Sequence, residues 1–504
     1  MIVQDTQLGS VNTTTPKLVI VEISPSQTIR ATGQTVVGLV AQLNRGKQGE
    51  AIVVGSMIDF QKKCGYYDSN LDGYLFAERF FNAGGGLLKI SRAMSTGAVK
   101  ASVALSGAVS EVCTITADSE GTWGNFIETK VAVNTLSTGY VDITIRNTKT
   151  QESITFNKTT FTDSNDKRYI TTLYNNTPDK FFTLTLNGTP TENPSAITVN
   201  LSNGTNGTTS GSSLSDTAYV GTNSPSLRTG IQTFRSTTNS DVTMVVSARD
   251  TSTINTALIT HVTDLTLSPR RTIISTPNSA SVSDAITTKS TINTDKVKLI
   301  YGYVKVQNPF TAEIEEVTRV AYDVAMDAQL GYWQSASQTL LPVQVLGVVM
   351  DLEESDINQL TANQINPVAF KQNTGFYRVS DYTCSNDPSL KQNTVRKAKD
   401  YFARVFYDNL QQFLSKPINV DLFSDISELL DSILRLEAEA SPQPHIGNAE
   451  GGIAYFIKCD TDNNPVESRR QNKIRVDVEI SLFGNADMIY LFLDASQEKT
   501  IVNA

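Results

Sequence analysis

Apolar residues along the chain follow three different periods in turn. Val19, Val21 and Ile23 alternate with Ile20, Glu22 and Ser24, which predicts an extended strand behind a polar leading arm, MIVQDTQLGSVNTTTP. Residues 35–43 (TVVGLVAQL) are nearly continuously apolar and end at Asn44-Arg45-Gly46, the pattern of a strand buried on both faces and followed by a turn. Residues 51–55 repeat it in shorter form. Asp72 is placed to cap a helix that carries Leu75, Phe76, Arg79 and Phe80 at helical spacing, and Gly84-Gly85-Gly86 ends that helix before a strand at 87–90. Strand, strand, helix, strand is an α/β arrangement.

Near Ala98 the period changes to two. Val141, Ile143 and Ile145 face away from Asp142, Thr144 and Arg146; Phe182, Leu184 and Leu186, then Ile197, Val199 and Leu201, continue the pattern between turns at Asn187-Gly188 and Asn203-Gly204. This predicts an inserted, mostly antiparallel β domain with one wet face, closed by the flexible connector LSNGTNGTTSGSSLSD. Beyond it, helix is expected at 227–234 and 257–265, and strands at 242–246, 272–274, 298–306 and 343–350, completing the α/β part.

The last third turns helical, then extended. Val395, Ala398, Phe402, Val405, Phe406 and Phe413 predict a long amphipathic helix over 393–414. A second helix is expected from Asp425, with Glu428 as its capping-box partner and Ile426, Leu429, Ile433 and Leu436 on one face, until SPQPHIG breaks it at 441–447. Strands follow at 453–459 and 473–483; in the second, Ile474, Val476, Val478, Ile480 and Leu482 alternate with Arg475, Asp477, Glu479 and Ser481. The expected fold class is α/β multidomain: mixed-sheet α/β core domains, an inserted mostly antiparallel β domain, and extended terminal arms. The domains read as an arm at 1–25, a discontinuous middle domain at 26–98 and 223–350, the insertion at 99–222, and a C-terminal α/β domain at 351–504.

With 504 residues the chain exceeds what one core supports. Only 18% of residues are charged, and Thr, Ser and Asn take their place, as on exposed polar sheet faces. A net charge of −9 argues against a protein that grips nucleic acid, which needs a basic surface. No apolar run is long enough for membrane insertion, and no signal-peptide pattern is present. Cys64, Cys113, Cys384 and Cys459 lack metal spacing and read as buried, inert thiols in a reducing compartment.

The search for catalytic, cofactor and metal motifs yields none. Gly84-Gly85-Gly86 lacks the glycine spacing of a dinucleotide loop, and Gln48 after Gly46-Lys47 replaces the hydroxyl of a phosphate loop. The two histidines, His261 and His445, have no acidic or thiol companion at ligand spacing and read as surface or capping residues. Asp351, Glu353, Glu354 and Asp356 lack the glycine turn of a calcium loop and read as a solvated connector.

The succession of blocks over 17–92 and 453–493 resembles contractile phage tail sheath proteins. Phe80, Phe81, Gly84 and Gly85 match a Phe-Phe-x-x-Gly-Gly segment of that family, and Gly121 to Asn125 (GTWGN) matches a later one. Asn463-Asn464-Pro465 stands where the family usually has Asn-Thr, and Pro16-Lys17-Leu18-Val19 departs from the family's Pro-Gly-Val-Tyr entry. The resemblance implies a non-enzymatic structural subunit without cofactor. It would polymerise as a helical homo-oligomer around an inner tail tube protein, meet baseplate and tail-end proteins, and contract to drive the tube through a cell envelope. Assembly in a bacterial host cytoplasm and residence in a virion or phage-tail-like particle follow from the same likeness. Val19, Val21, Ile23, Ile474, Val476, Val478, Ile480 and Leu482 are the expected inter-subunit strands. Arg396, Lys397, Lys399 and Arg404 on one helix, with Glu428, Asp431 and Glu437 on the next, are candidates for the tube contact. The competing reading is a non-contractile β-rich virion adhesin or tail decoration protein.

Overall fold

The computed structural model describes residues 35–209 and 213–486, together with the backbone of Ile2–Gln4 and Ile20–Glu22. The chain forms two compact units, Gln34–Asp400 and Met1–Gly33 with Tyr401–Ala504.

The larger unit is organised by a parallel sheet buried on both faces. Its central strand, Val36–Ala41, is wholly buried and pairs in parallel with Leu87–Arg92 on one side and Met244–Ser247 on the other. Ala51–Val54 closes one edge in antiparallel sense. On the opposite side a bridge from Met244 to Arg271 leads to the parallel pair Thr272–Ser275 and Val297–Ile300, and Ile300 bridges on to Asn366. Alternate residues serve two different cores, which explains the continuous apolar runs. Val36 and Val40 join Val245, Ile274 and Leu299 under helices Ser252–Thr263 and Val282–Ser290. Val37, Leu39 and Ala41 join Met244, Val246 and Ile273 under helices Met57–Cys64, Gly73–Asn82 and Val320–Gln329. Gly38 lets Phe234 and Val242 pack closely on the strand, since a Cβ there would lie 3.0 Å from each side chain.

Several elements depart from the sequence reading for identifiable reasons. The single strand expected at 298–306 is two, Val297–Ile300 and Tyr303–Gln307, because Gly302 turns the chain at φ 93° into a separate antiparallel sheet with Ile314–Thr318 and Val345–Val348. The 227–234 segment is a 3₁₀ helix, Gly230–Arg235. The acidic cluster around Glu353 opens the helix Glu354–Ala362 through a capping box with Asp356. Asp72 precedes the helix Gly73–Asn82 but does not cap it; its carboxylate accepts from Gln42 N at 2.8 Å and from the Tyr219 hydroxyl. The expected boundary at 350/351 differs from the division at Asp400/Tyr401, since Leu360, Ile365 and Cys384 belong to the same core as Val36.

The insertion is a two-sheet structure with its own core. Ser153–Thr159, Val141–Asn147, Ile127–Val133 and Ile197–Asn200 form one antiparallel sheet in that order; Phe182–Leu186, Glu111–Ala117 and Ser102–Ser106 form the other. Ile115, Ala117, Ile127, Ile143 and Phe156 meet in one cluster, so one face of each sheet is dry. Its neck is narrow: Val99 pairs with Thr205, Ser102 with Ser202, and Asn125 exchanges two hydrogen bonds with Gly204 at 2.9 and 2.8 Å. The insertion therefore ends near Thr205, and residues 213–222 belong to the α/β core, where Tyr219 is fully buried.

A buried ionic network ties the start of the helix Asn393–Leu410 to this sheet. Arg271, Lys298, Arg396 and Lys397 are set against Asp295, Asp327, Asp381 and Asp400. Lys298 Nζ lies 2.7 Å from Asp381, which also accepts from Ala336 N and Asn393 Nδ2 at 3.0 Å each. Burial pushes the Asp327 carboxyl up, but Lys298, Lys397 and Arg271 outweigh it and hold the group at about 2. Among the described residues no helix is long and apolar enough to cross a membrane.

Two tests follow from this architecture. Replacing residues 101–204 by a short Gly-Ser linker leaves a soluble, folded core, whereas extending the replacement to residue 222 removes Tyr219 and unfolds it; circular dichroism and sedimentation distinguish the two. Asp381→Ala takes from Lys298 its closest partner, leaving Asp327 at 3.7 Å, and orphans Ala336 N; it lowers unfolding free energy by about 2–4 kcal/mol in a denaturant titration. With its folded value below its unfolded one, Asp327 contributes stability that is present above about pH 4 and lost as pH falls towards 2.

Candidate assembly surfaces

The smaller unit is built around the helix Val420–Ala438. Asn419 caps it by accepting from Leu422 N at 2.9 Å, so the helix begins five residues before the expected Asp425, and Asp425 lies within it. Leu422, Phe423, Ile426, Leu429, Leu430 and Ile433 pack with Val405 and Phe413 from the preceding helical segment. Ile474, Val476 and Val478 lie against this cluster, which accounts for one phase of their alternation.

The terminal hairpin pairs Tyr455–Lys458 with Asp477–Ile480 in antiparallel register, Tyr455 opposite Ile480 and Ile457 opposite Val478. Ile480 and Leu482 are half-buried, and Phe456 and Glu479 are exposed. The strands are shorter than the expected 453–459 and 473–483 because the intervening loop bends onto them. Asn464, fully buried, donates through Nδ2 to Asp460 O at 3.0 Å and to Arg475 O at 2.9 Å, and accepts from Arg475 N at 2.5 Å. Asn463 donates to Lys458 O at 2.7 Å and to Asp477 Oδ2 at 3.0 Å. The Asn-Asn-Pro turn thus fixes the hairpin register, a role for which the sequence offered only the turn signal.

Hydrogen-bond alternation identifies the open edges of this hairpin. Ser481 N donates to Ala454 O at 2.8 Å, so 454/481 is a hydrogen-bonded pair and 456/479 and 458/477 repeat it. The main-chain groups of Val478 and Ile480 then point away from the partner strand, as do those of Tyr455 and Ile457. Among the described residues no third strand pairs with either edge. At the other terminus, Ile20–Glu22, which contains Val21, pairs in parallel with Ile2–Gln4; Val19 and Ile23 lie outside the described residues.

The charged candidates on the two helices separate. Arg396 and Lys397 are buried in the larger unit: Arg396 lies 3.2 Å from Asp295 and 2.5 Å from Asp400, and Lys397 Nζ donates to Gln334 O at 3.0 Å. Their charge stabilises the chain's own fold and offers no exposed face, because an uncompensated charge at these positions would be too costly to bury. Lys399 is half-exposed, 3.8 Å from Asp295. Arg404 is half-buried and Glu428 exposed. Asp431 accepts from the Tyr455 hydroxyl at 2.8 Å, bracing the hairpin on the helix, and Glu437 accepts from the Tyr401 hydroxyl at 2.7 Å.

Groups with chemical potential are placed in structural roles. His445 Nδ1 lies 2.6 Å from Glu437, so it does have an acidic companion, and His261 is interior instead of exposed, with Nε2 3.1 Å from Arg270. Burial, reinforced by Arg270, pushes His261 down to about 3, which keeps it neutral. All four cysteines are buried and free; burial raises Cys64, Cys113 and Cys384 each to about 12. The crevice where the strand order reverses, between Val36–Ala41 and Met244–Ser247, is where such sheets usually hold a ligand. Here Gln42, Asp72 and Tyr219 bond one another at that end, with Arg249 stacked 4.6 Å over the Tyr219 ring. Among the described residues no group of three or more His, Cys, Asp or Glu is arranged to hold a metal ion.

By sequence, no family model and no curated protein matches the chain. Solved structures match it in fold over most of its length. A sheath tail protein from Listeria innocua aligns with a TM-score of 0.63 at 13% identity, covering 86% of this chain and 90% of that one. The sheath complex of the PVC extracellular contractile injection system in its contracted state aligns with a TM-score of 0.57 at 11% identity, covering 96% and 98%. The contracted helical sheath of the anti-feeding prophage gives 0.55 at 13% identity, covering 96% and 99%. At these identities the likeness is one of fold.

Asn464→Ala tests the hairpin staple. Loss of a fully buried amide that serves three main-chain groups costs the hairpin about 1–3 kcal/mol. Hydrogen exchange at Arg475 N and the strand Asp477–Ile480 is expected to accelerate while protection in the larger unit stays unchanged.

Proposed function

We propose that the chain is the structural subunit of a contractile tail sheath, one that polymerises helically around an inner tube and contracts to drive that tube through a target cell envelope. The observation that carries this reading is the fold shared with sheath proteins over most of the chain, combined with a hairpin whose two edges have no third strand among the described residues. A two-stranded sheet is marginal alone, and each further main-chain hydrogen bond contributes about 0.5–1.5 kcal/mol net. A strand supplied by another copy completes it, and the segments at 20–22 and 477–480 are the donors or acceptors of that exchange. Such a link holds neighbours together while the remaining contacts change.

On this reading no nucleotide is consumed. Energy resides in the difference between two sets of subunit contacts, as in any assembly whose extended and contracted states differ in free energy. The tube-facing surface falls to the smaller unit, to the exposed face of the helix Val420–Ala438 around Glu428 and to Arg404, since Arg396 and Lys397 are spent inside the fold. Baseplate and tail-end partners, and assembly in a bacterial cytoplasm within a phage or phage-like particle, belong to the same proposal.

Val478→Pro tests the link. Val478 N points out of the hairpin, so proline removes a donor from the free edge and leaves the hairpin's own pairs in place. Folded protein that fails to elongate is expected, with the wild-type circular dichroism spectrum and no sedimentable polymer; removal of residues 1–22 gives the same outcome. Normal helical tubes from both variants in negative-stain micrographs would refute the strand exchange.

A further inference from the structure

Beside the neck of the insertion, the turn after Val36–Ala41, the loop after the helix Met57–Cys64 and the 3₁₀ segment Thr122–Phe126 enclose a cavity of about 280 Å³. Aromatic rings dominate its wall: Tyr66, Tyr67, Trp123 and Phe126. Tyr66 and Phe126 are 40% and 41% exposed, open to a ligand from solvent. Tyr67 is held by stacking on Phe310, with ring centroids 4.0 Å apart, and its hydroxyl accepts from Asn308 at 3.1 Å, so it is a fixed wall. Gly65 also lines the cavity; its φ of +91° and the closeness of Asn44, 2.9 Å from where a Cβ would stand, keep that side open.

The polar groups indicate what the rings hold. Trp123 is 3% exposed, and its indole N–H is buried with no acceptor in the described structure. That N–H is closed off from the cavity, so the other polar groups form its rim. Asn44, Asn147, Asp68 and Thr150 add amide, carboxylate and hydroxyl groups around the same space. Arg45 lies over the Trp123 ring at 4.8 Å but is already paired with Glu152 at 3.1 Å and Asp118 at 3.4 Å, and it donates to Lys62 O at 2.9 Å. It has no charge to spare for a phosphate. Lys149, 5.0 Å over the Phe126 ring, disfavours a cationic guest.

We propose that this cavity binds one pyranose ring of a glycan. A pyranose combines an apolar C–H face, which packs on an aromatic ring, with a rim of hydroxyls that each donate and accept. That combination fits a wall of rings edged by amides, a carboxylate and a hydroxyl. At about 280 Å³ the cavity lies at the lower end of ligand sites, the size of a single ring. The site is complete within one chain and independent of the sheath reading.

The chain has two tryptophans, so Trp333→Phe leaves Trp123 as the sole fluorescent reporter. In that background, titration with glucose, galactose, mannose, N-acetylglucosamine and N-acetylgalactosamine is expected to give a saturable change for at least one sugar, half-maximal in the millimolar range. Tyr66→Ala and Phe126→Ala, both at exposed rings, weaken it about tenfold or more with the circular dichroism spectrum unchanged. No response to any of the five up to roughly 100 mM, weaker than any useful affinity, overturns the proposal. So does a response that both variants retain, or one given by indole or p-cresol alone, which would mark the cavity as a seat for an aromatic side chain. Polymer formation by Tyr66→Ala is followed in parallel; it is expected to be normal, so the fate of the glycan site and that of the sheath reading are read separately.

Discussion

The burial of both faces of one parallel sheet is the constraint on which the larger unit depends. Val36–Ala41 has no solvent-facing side, so each of its residues must be matched by a covering layer, and the chain must supply helices above and below. This explains why segments far apart in sequence, Met57–Cys64 and Val320–Gln329 on one face and Ser252–Thr263 and Val282–Ser290 on the other, are parts of one body. It also explains why a β domain of about a hundred residues is tolerated between Leu87–Arg92 and Met244–Ser247. The insertion leaves and returns through a neck only two strands wide, and it brings its own core.

The same constraint determines where charge can be buried. At the end of the sheet carrying Lys298 and Arg271, the helix that begins at Asn393 is attached by ion pairs instead of apolar contacts. Such networks add little net stability over a hydrophobic packing, but they are intolerant of misplacement, because each unpaired member would be left in a low-dielectric interior. The attachment is therefore specific in geometry.

Legibility followed the physics of each segment. The continuous apolar run at 36–41 was readable because both faces are dry, and the alternation at 141–147 and 182–186 because one face is wet. The helix Val420–Ala438 was misplaced at its start because Asp425 and Glu428 imitate a capping box, while the real cap, Asn419, lies one and a half turns earlier. Tyr301 and Gly302 were hidden inside a run that looked uniform. Charges were misread wherever the fold buries them: Arg396 and Lys397 have the spacing of a solvated face, and nothing local distinguishes them from Lys399. His261 failed in the same way, since its burial depends on Arg270 and the packing around it. Contacts of high sequence separation have no local signature, and the cavity beside Trp123 is made entirely of them.

For a sheath subunit of the kind proposed above, the division between main-chain and side-chain contacts would be the decisive design choice. Side-chain interfaces are specific to one relative placement and are lost when subunits rotate. A strand added to the open edge of Asp477–Ile480 or Tyr455–Lys458 depends on main-chain groups alone, and so survives any rotation that the connecting segment can absorb. The Asn463-Asn464 staple and the Tyr455–Asp431 bond hold this hairpin in register on the helix Val420–Ala438, as the proposed exchange would require of its acceptor. In the proposed linkage, a rigid acceptor edge would let side-chain contacts exchange while the main-chain pairing persists.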